Sequence, residues 1–204
     1  MQATETTQNL TPIAFSSLLK KYTLAEFFEL PEPQNRYYYE LIEGQLFLMP
    51  PPRQPHGELV ARMNRSLIAH QIKTNDFGIV YHPREAIYVE DVWGTYVEPD
   101  MMYVSNALRE AMGERRTSAD VVFEFLSEST ANYDKTTKAD TYLALGVKEL
   151  WLIDLASKTV EVRNADSENG FLIWRGKLYK SGENAESKVL SDWKINLDEL
   201  FANL

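Results

Sequence analysis

Residues 121–127 read Val121-Val122-Phe123-Glu124-Phe125-Leu126-Ser127, a β-branched and aromatic run with one carboxylate at its centre. Such a run forms a strand. At a period of two, Glu124 shares a face with Val122 and Leu126, while Val121, Phe123 and Phe125 take the other. Apolar residues on both faces make the strand central in its sheet. Glu124 is then expected in low dielectric, where a charged group must be paired or bound to a metal. A helical pattern follows from about Tyr133 to Leu145, with Gly146 suited to a left-handed cap. After it, Glu149-Leu150-Trp151-Leu152-Ile153-Asp154 is almost continuously apolar, as in a strand buried on both faces. Strand, helix and strand in that order predict a right-handed crossover between parallel strands. The expected fold class is α/β, a mixed β-sheet core flanked by helices.

The remaining elements fit around that unit. Thr23-Leu24-Ala25-Glu26 is a capping box opening a helix to about Leu30, stopped by Pro31 and Pro33. Tyr37–Ile42 and Gln45–Met49 read as a hairpin turning at Glu43-Gly44, and Pro50, Pro51, Pro52 and Pro55 end it. Residues 56–72 have helical periodicity, with Leu59, Val60, Met63 and Leu67 on one stripe and Glu58, Arg62 and Arg65 opposite. His56 and His70 project onto the apolar side. Strands are expected near Gly78–Glu90 and Val97–Val104, then a loop containing Gly113. Residues 158–180 should add two or three short antiparallel strands. Leu190–Phe201, with Trp193, Ile195, Leu197 and Leu200, should pack the tail down. Residues 1–22 read as an extension, flexible over the first dozen and helical over Ile13–Lys21, and 23–204 as a single domain.

Composition closes off several function classes. A formal charge of −9 argues against a passive nucleic-acid coat, which needs a basic surface. One local excess of three positive charges exists: residues 51–75 hold Arg53, Arg62, Arg65 and Lys73 against Glu58. Its plainest reading is a solvated helix face with a Glu58–Arg62 ion pair. Cysteine is absent, so there is no disulfide framework and no thiolate metal site. No membrane-length apolar run and no secretory signal is apparent, so a cytoplasmic protein is expected.

The chemistry gathers around a second acid. Asp100, in Glu98-Pro99-Asp100, enters an apolar strand 24 positions before Glu124. Two carboxylates on neighbouring strands can share a hard divalent cation, because Mg²⁺ is commonly held by one or two carboxylates plus waters and phosphate oxygens. Asp134, Lys138 and Tyr142 follow at spacings of four on one helix face. If that face looks back at the Glu124 strand, Lys138 can orient a water or neutralise charge on phosphorus, with Lys135 as its nearest competitor. Acid, acid and lysine suit phosphodiester hydrolysis. Plainer accounts stand beside each residue: an Asp134–Lys138 ion pair, a surface partner for Asp100 and a buried arginine partner for Glu124. His56 can contact a phosphate or a metal-held water, or simply bond to backbone. Glu40 is a candidate third carboxylate. Tyr37-Tyr38-Tyr39 can stack on bases, although packing is the better account of them.

Together these residues resemble a known family. Pro99-Asp100, Glu124 in Phe-Glu-Phe-Leu-Ser, Asp134 and Lys138 on the next helix, and Gly146-Val-Lys-Glu-Leu-Trp-Leu-Ile-Asp154 are similar to the Uma-type restriction endonuclease family of the PD-(D/E)XK nuclease superfamily. Tyr39-Glu40-Leu-Ile-Glu-Gly-Gln-Leu and His56-Gly-Glu-Leu-Val extend the likeness, which runs from about Thr23 to the C-terminus. The resemblance implies a restriction-endonuclease-like core with an N-terminal hairpin and C-terminal antiparallel additions. It also implies a DNA phosphodiesterase using Mg²⁺ or Mn²⁺, with Asp100 and Glu124 as metal ligands. One position departs from the pattern: Leu126 stands two residues after Glu124, where the superfamily places lysine. A migrated lysine, Lys138, is what the resemblance then implies. The alternative is a nucleic-acid-binding or assembly module that kept the fold and lost turnover. Two-fold duplex DNA makes a homodimer the expected assembly.

Overall fold

The computed structural model describes residues 20–52 and 54–204. The expectations for residues 1–19 and for Arg53 lie outside them; Lys20 and Lys21, the end of the anticipated Ile13–Lys21 helix, are not helical. Helix α1 (Leu24–Phe28) carries the capping box in full, with Thr23 and Glu26 each bonding to the other's backbone N–H. The hairpin β1 (Tyr38–Ile42) and β2 (Gln45–Met49) follows, then the 19-residue helix α2 (His56–Thr74). Leu59, Met63 and Leu67 on α2 are buried, as the periodicity requires, each contributing roughly 1.5–3 kcal/mol of transfer free energy. Glu58 and Arg62 form the expected ion pair at 2.8 Å. Arg62 also donates to the carbonyls of Leu200 and Ala202, tying α2 to the C-terminus.

Two expected strands are each split between sheets. The Gly78–Glu90 stretch becomes β3 (Ile79–Tyr81) and β4 (Ile87–Val89), separated by a turn through Pro83 and Arg84. The Val97–Val104 stretch becomes β5 (Thr95–Val97) and β6 (Met101–Val104). Pro99 explains the second break, since it has no N–H to donate to a ladder. The segment Glu98-Pro99-Asp100 therefore crosses from one sheet to the other. The loop expected around Gly113 instead contains α3 (Asn106–Met112), whose first turn is capped by Ser105 Oγ accepting from Leu108 N. That Ser cap is the signal the sequence reading passed over.

The central unit follows as β7 (Val121–Leu126), α4 (Ala131–Tyr133), a π-helical turn over Asp134–Lys138, α5 (Ala139–Ala144) and β8 (Glu149–Asp154). The expected Tyr133–Leu145 helix thus starts two residues earlier and widens in the middle. β7 and β8 pair in parallel, with Glu124 opposite Leu152. Instead of two or three short strands, residues 158–180 form two long ones, β9 (Thr159–Glu168) and β10 (Phe171–Tyr179). A small hairpin, β11 (Asn184–Glu186) and β12 (Lys194–Asn196), leads to α6 (Leu197–Leu200), which Asn196 caps.

The strands form a mixed six-stranded sheet in the order β10-β9-β8-β7-β6-β3, a four-stranded antiparallel sheet β2-β1-β5-β4, and the β11-β12 pair. β7 lies near the centre of the large sheet and its faces separate as alternation demands. Val121, Phe123 and Phe125 pack with α2 and the tail residues Trp193, Leu197 and Leu200. Val122 and Leu126 pack on the opposite face with Ala139 and Tyr142 of α5. No helix among the described residues is long and apolar enough to cross a membrane.

Candidate active site

The register of β6 against β7 pairs Met101 with Phe123. One step further along the antiparallel pair, Asp100 stands beside Glu124 on the same face of the sheet. The Pro99 break puts Asp100 immediately before the first residue of β6, where the two sheets part. There a cleft of about 1130 Å³ opens, lined by His56, Asp100, Glu124, Asp134 and Lys138 among others.

Asp100 is held at both oxygens. His56 Nε2 lies 3.0 Å from Oδ1, and the backbone N–H of Phe125 donates to Oδ2 at 2.8 Å. The carboxylate keeps 21% of its side chain exposed to the cleft. Loss of water alone would raise its pKa; the hydrogen bond and charge of His56, the charge of Lys138 and the Phe125 N–H outweigh that and hold it below the ordinary carboxylate value. For His56, burial works against the imidazolium, but Asp100 reverses the balance and its pKa rises. The His56 ring also meets Phe125 edge-on at 5.4 Å. His56 thus spans from the α2 layer to the end of β6, paired with a carboxylate rather than with backbone.

Lys138 comes from the opposite layer. Its ammonium is 3.0 Å from Glu124 Oε1, 3.0 Å from Glu40 Oε1, and donates to the Glu98 carbonyl at 3.0 Å. The side chain is 2% exposed. Burial would lower its pKa, but Glu124, Glu40, Tyr142 and Asp134 raise it well above the ordinary lysine value, so the group is a fixed cation. The Tyr142 hydroxyl donates to the same Oε1 of Glu124. Glu124 has its pKa raised, first by burial and then by Asp100 and Asp134, against the opposing charge of Lys138. Although only 2% exposed, Glu124 lines the cleft.

Glu40 is wholly buried in β1. It accepts from Tyr133 Oη at 2.9 Å and from the Glu98 backbone N–H at 2.8 Å, which makes it the holder of Lys138 rather than a cleft wall. Asp134, buried beside the cleft, has its pKa raised to about 6, chiefly by desolvation. An Asp134–Lys138 ion pair does not form; the π-helical turn carries both residues inward and gives Lys138 to Glu124 and Glu40 instead. Such turns recur at functional sites because they re-aim side chains that an α-helix would place differently. Lys135 is not among the cleft-lining residues, and its carbonyl accepts from Arg163. Sequence reasoning missed Glu98 and Tyr133. Glu98 is buried, and its Oε2 faces Arg84 Nη1 at 2.9 Å as a charge contact rather than an aligned hydrogen bond. Its place in Glu98-Pro99-Asp100 was the available signal, since a chain that crosses between sheets brings its flanking residues into one cleft.

No three of the described His, Asp and Glu side chains form a ready cage for a metal ion. What the cleft offers is oxygen from two adjacent carboxylates, Asp100 and Glu124, with Asp134 near. That suits Mg²⁺, which keeps several waters and takes further oxygens from a phosphate. The charge balance agrees: Glu40, Glu98, Asp100, Glu124 and Asp134 outnumber His56, Arg84 and Lys138 even with the imidazole protonated. The residues fit such an ion.

Comparison with known proteins gives the family. The Uma2 family model, described as "Putative restriction endonuclease", matches residues 24–198, and the chain belongs to that family. No curated protein matches the sequence. Among solved structures, the chain is similar to the crystal structure of "a putative nuclease belonging to DUF820" from Anabaena variabilis. The two share 21% identity, the match covers 88% of this chain and 97% of the other, and the TM-score is 0.67. At that identity the likeness establishes the fold.

Proposed function

We propose that this Uma2-family chain hydrolyses DNA phosphodiester bonds with a divalent cation, Mg²⁺ or Mn²⁺, on the arrangement of the PD-(D/E)XK nucleases. The observation that carries the reading is the meeting of three elements in one cleft. Asp100 leads directly into β6, Glu124 stands beside it on β7, and Lys138 reaches Glu124 from the helical layer at 3.0 Å. Asp100 and Glu124 are the residues that would hold the ion. When bound, it supplies Lewis-acid charge at the phosphate and makes water a better nucleophile at neutral pH.

The chain's own residues prepare the site for that chemistry. Phe125 N–H and His56 fix the Asp100 carboxylate in one orientation, as outer partners commonly do for metal-binding carboxylates. Lys138, locked as a cation by Glu40 and Glu124, stabilises negative charge that develops on the phosphate. It takes the place that the superfamily gives to a lysine two residues after the glutamate, where this chain has Leu126. Tyr142 and Tyr133 hold the two glutamates that hold Lys138.

A non-catalytic nucleic-acid-binding module is the second reading, and one observation favours it. Lys138 is 2% exposed and its ammonium is shared by two carboxylates and a carbonyl, as in a structural ion pair. Mn²⁺ titration with cleavage in parallel separates the two. The nuclease binds Mn²⁺ saturably, loses it on Asp100→Asn, and cuts DNA with the ion; the module does neither.

A further inference from the structure

Two arginines at the mouth of the cleft occupy turn positions where Gly or Asn is the default. Asn35 and Arg36 are the central pair of a turn closed by the Tyr37 N–H on the Gln34 carbonyl at 3.3 Å, with φ of 60° and 64°. Positive φ at both central residues is the type I′ pattern, in which Asn-Gly is preferred. Arg84 follows Pro83 in a turn closed by the Glu85 N–H on the His82 carbonyl at 3.3 Å, and its φ is 76°. A type II turn reserves that position for Gly or Asn. A long cationic side chain gains nothing locally from left-handed backbone, and residues held there cluster at ligand clamps and active sites.

Both arginines line the cleft, and so do Tyr37 and Tyr38. Tyr39 instead packs into the cluster of Leu24, Phe27 and Leu41. The Arg84 guanidinium lies 4.8 Å from the centre of the Tyr38 ring, and its Nη1 is tethered to Glu98 Oε2. The guanidinium is thus backed by a ring on one side and held by charge, yet its side chain is 64% exposed. Tyr37, on the same cleft lining, is 40% exposed. An aromatic ring, a charge-tethered guanidinium and a second cation thus line the same cleft as the buried acids, an exposed wall over an acidic floor. Aromatic faces interleaved with cations suit an unpaired strand, whose bases are free to stack on rings and guanidinium planes. Intact duplex hides those faces and brings the phosphates of two strands toward the acidic floor.

We propose that Arg36, Tyr37 and Arg84, backed by Tyr38, bind an unpaired DNA strand. Bases stack on Tyr37 and on the Arg84 plane, and Arg36 contacts phosphate. This deepens the nuclease reading and rests on it for the polymer: the substrate is a single strand or a frayed segment, not intact duplex.

The test is fluorescence anisotropy of a labelled oligo-dT and of a blunt duplex of equal length, with Ca²⁺ in place of Mg²⁺ and oligonucleotide integrity checked on a gel. Wild type is compared with Tyr37→Ala and Arg36→Gly. Oligo-dT should bind at least about ten-fold tighter than duplex, and Tyr37→Ala should weaken it by on the order of ten-fold. Arg36→Gly creates the preferred Asn-Gly turn, so its Tm should rise while its affinity for oligo-dT and its salt dependence fall. Equal or tighter duplex binding, or oligo-dT affinity unchanged in Tyr37→Ala, overturns the proposal. Oligo-dT binding as expected without any Mn²⁺-dependent cutting leaves the wall standing and removes the nuclease reading. Cutting with oligo-dT affinity untouched by Tyr37→Ala removes the wall alone.

Discussion

Lys138 and Glu124 meet at 3.0 Å, both nearly inaccessible to water, although they come from different layers of the fold. The contact joins the helical layer to the centre of the large sheet. Glu40, from the small sheet, closes on the same ammonium, so one cation links three parts of the molecule.

Lys138→Met should therefore be costly for stability as well as for activity. Removing one partner of a buried pair leaves the other uncompensated, at about 3–5 kcal/mol. Urea denaturation at neutral pH should show a loss of that order. The loss should shrink in acid, where the glutamates take up protons. A loss under about 1 kcal/mol at neutral pH, the scale of exposed pairs, would show that the buried cluster does not form.

Asp134 gives a prediction of opposite sign. Its folded pKa is raised to about 6 from 3.8, so the folded chain holds a proton that the unfolded chain has already lost. The stability it contributes falls as pH rises from about 4 through about 6. Asp134→Asn removes that penalty and should stabilise the protein at neutral pH by on the order of 3 kcal/mol, with the gain vanishing below about pH 4. Thermal melts across that range check it. A variant less stable than wild type at neutral pH would contradict the assignment.

Much of this site is legible in the sequence alone. Glu124 in an apolar strand demanded a partner, the period of two divided its neighbours between faces as they are divided, and a helix six residues on offered Lys138. What could not be read was the path of the chain. Glu98-Pro99-Asp100 looks like the start of one strand, but Pro99 ends pairing with the small sheet and delivers Asp100 to the large one. The π-helical turn was equally hidden, because Asp134 and Lys138 at a spacing of four read as a simple surface ion pair. Only the tertiary pull of Glu40 and Glu124 diverts the lysine inward. Arg84 carried no signal either, since its importance lies in a turn whose backbone favours Gly.

His56 reports on Asp100 directly. The carboxylate's hydrogen bond and charge hold the imidazole pKa above its ordinary value despite burial. The stability from this raised pKa is fully present below about pH 6.5 and is lost as pH rises through the folded value. In Asp100→Asn the hydrogen bond and the nearer charge are gone and only Asp134 still opposes desolvation, so the His56 pKa should fall from its raised value. An NMR titration of the His56 ring measures this without reference to activity. An unchanged titration would mean that the two side chains do not pair in solution.

The central claim is that Asp100, Glu124 and Lys138 form one metal-dependent phosphodiesterase centre. Its most direct measurement is the conversion of negatively supercoiled plasmid, whose torsional strain opens unpaired segments, by wild type, Asp100→Asn, Glu124→Gln and Lys138→Met at equal purity, with Mn²⁺, Mg²⁺ or EDTA. The account predicts nicking or cutting by wild type with either ion, none in EDTA, and at least about a hundred-fold loss in each variant, the scale seen when one charge-stabilising group is removed. Equal residual cutting by wild type and Asp100→Asn would contradict it, because the activity would then come from something other than this cleft.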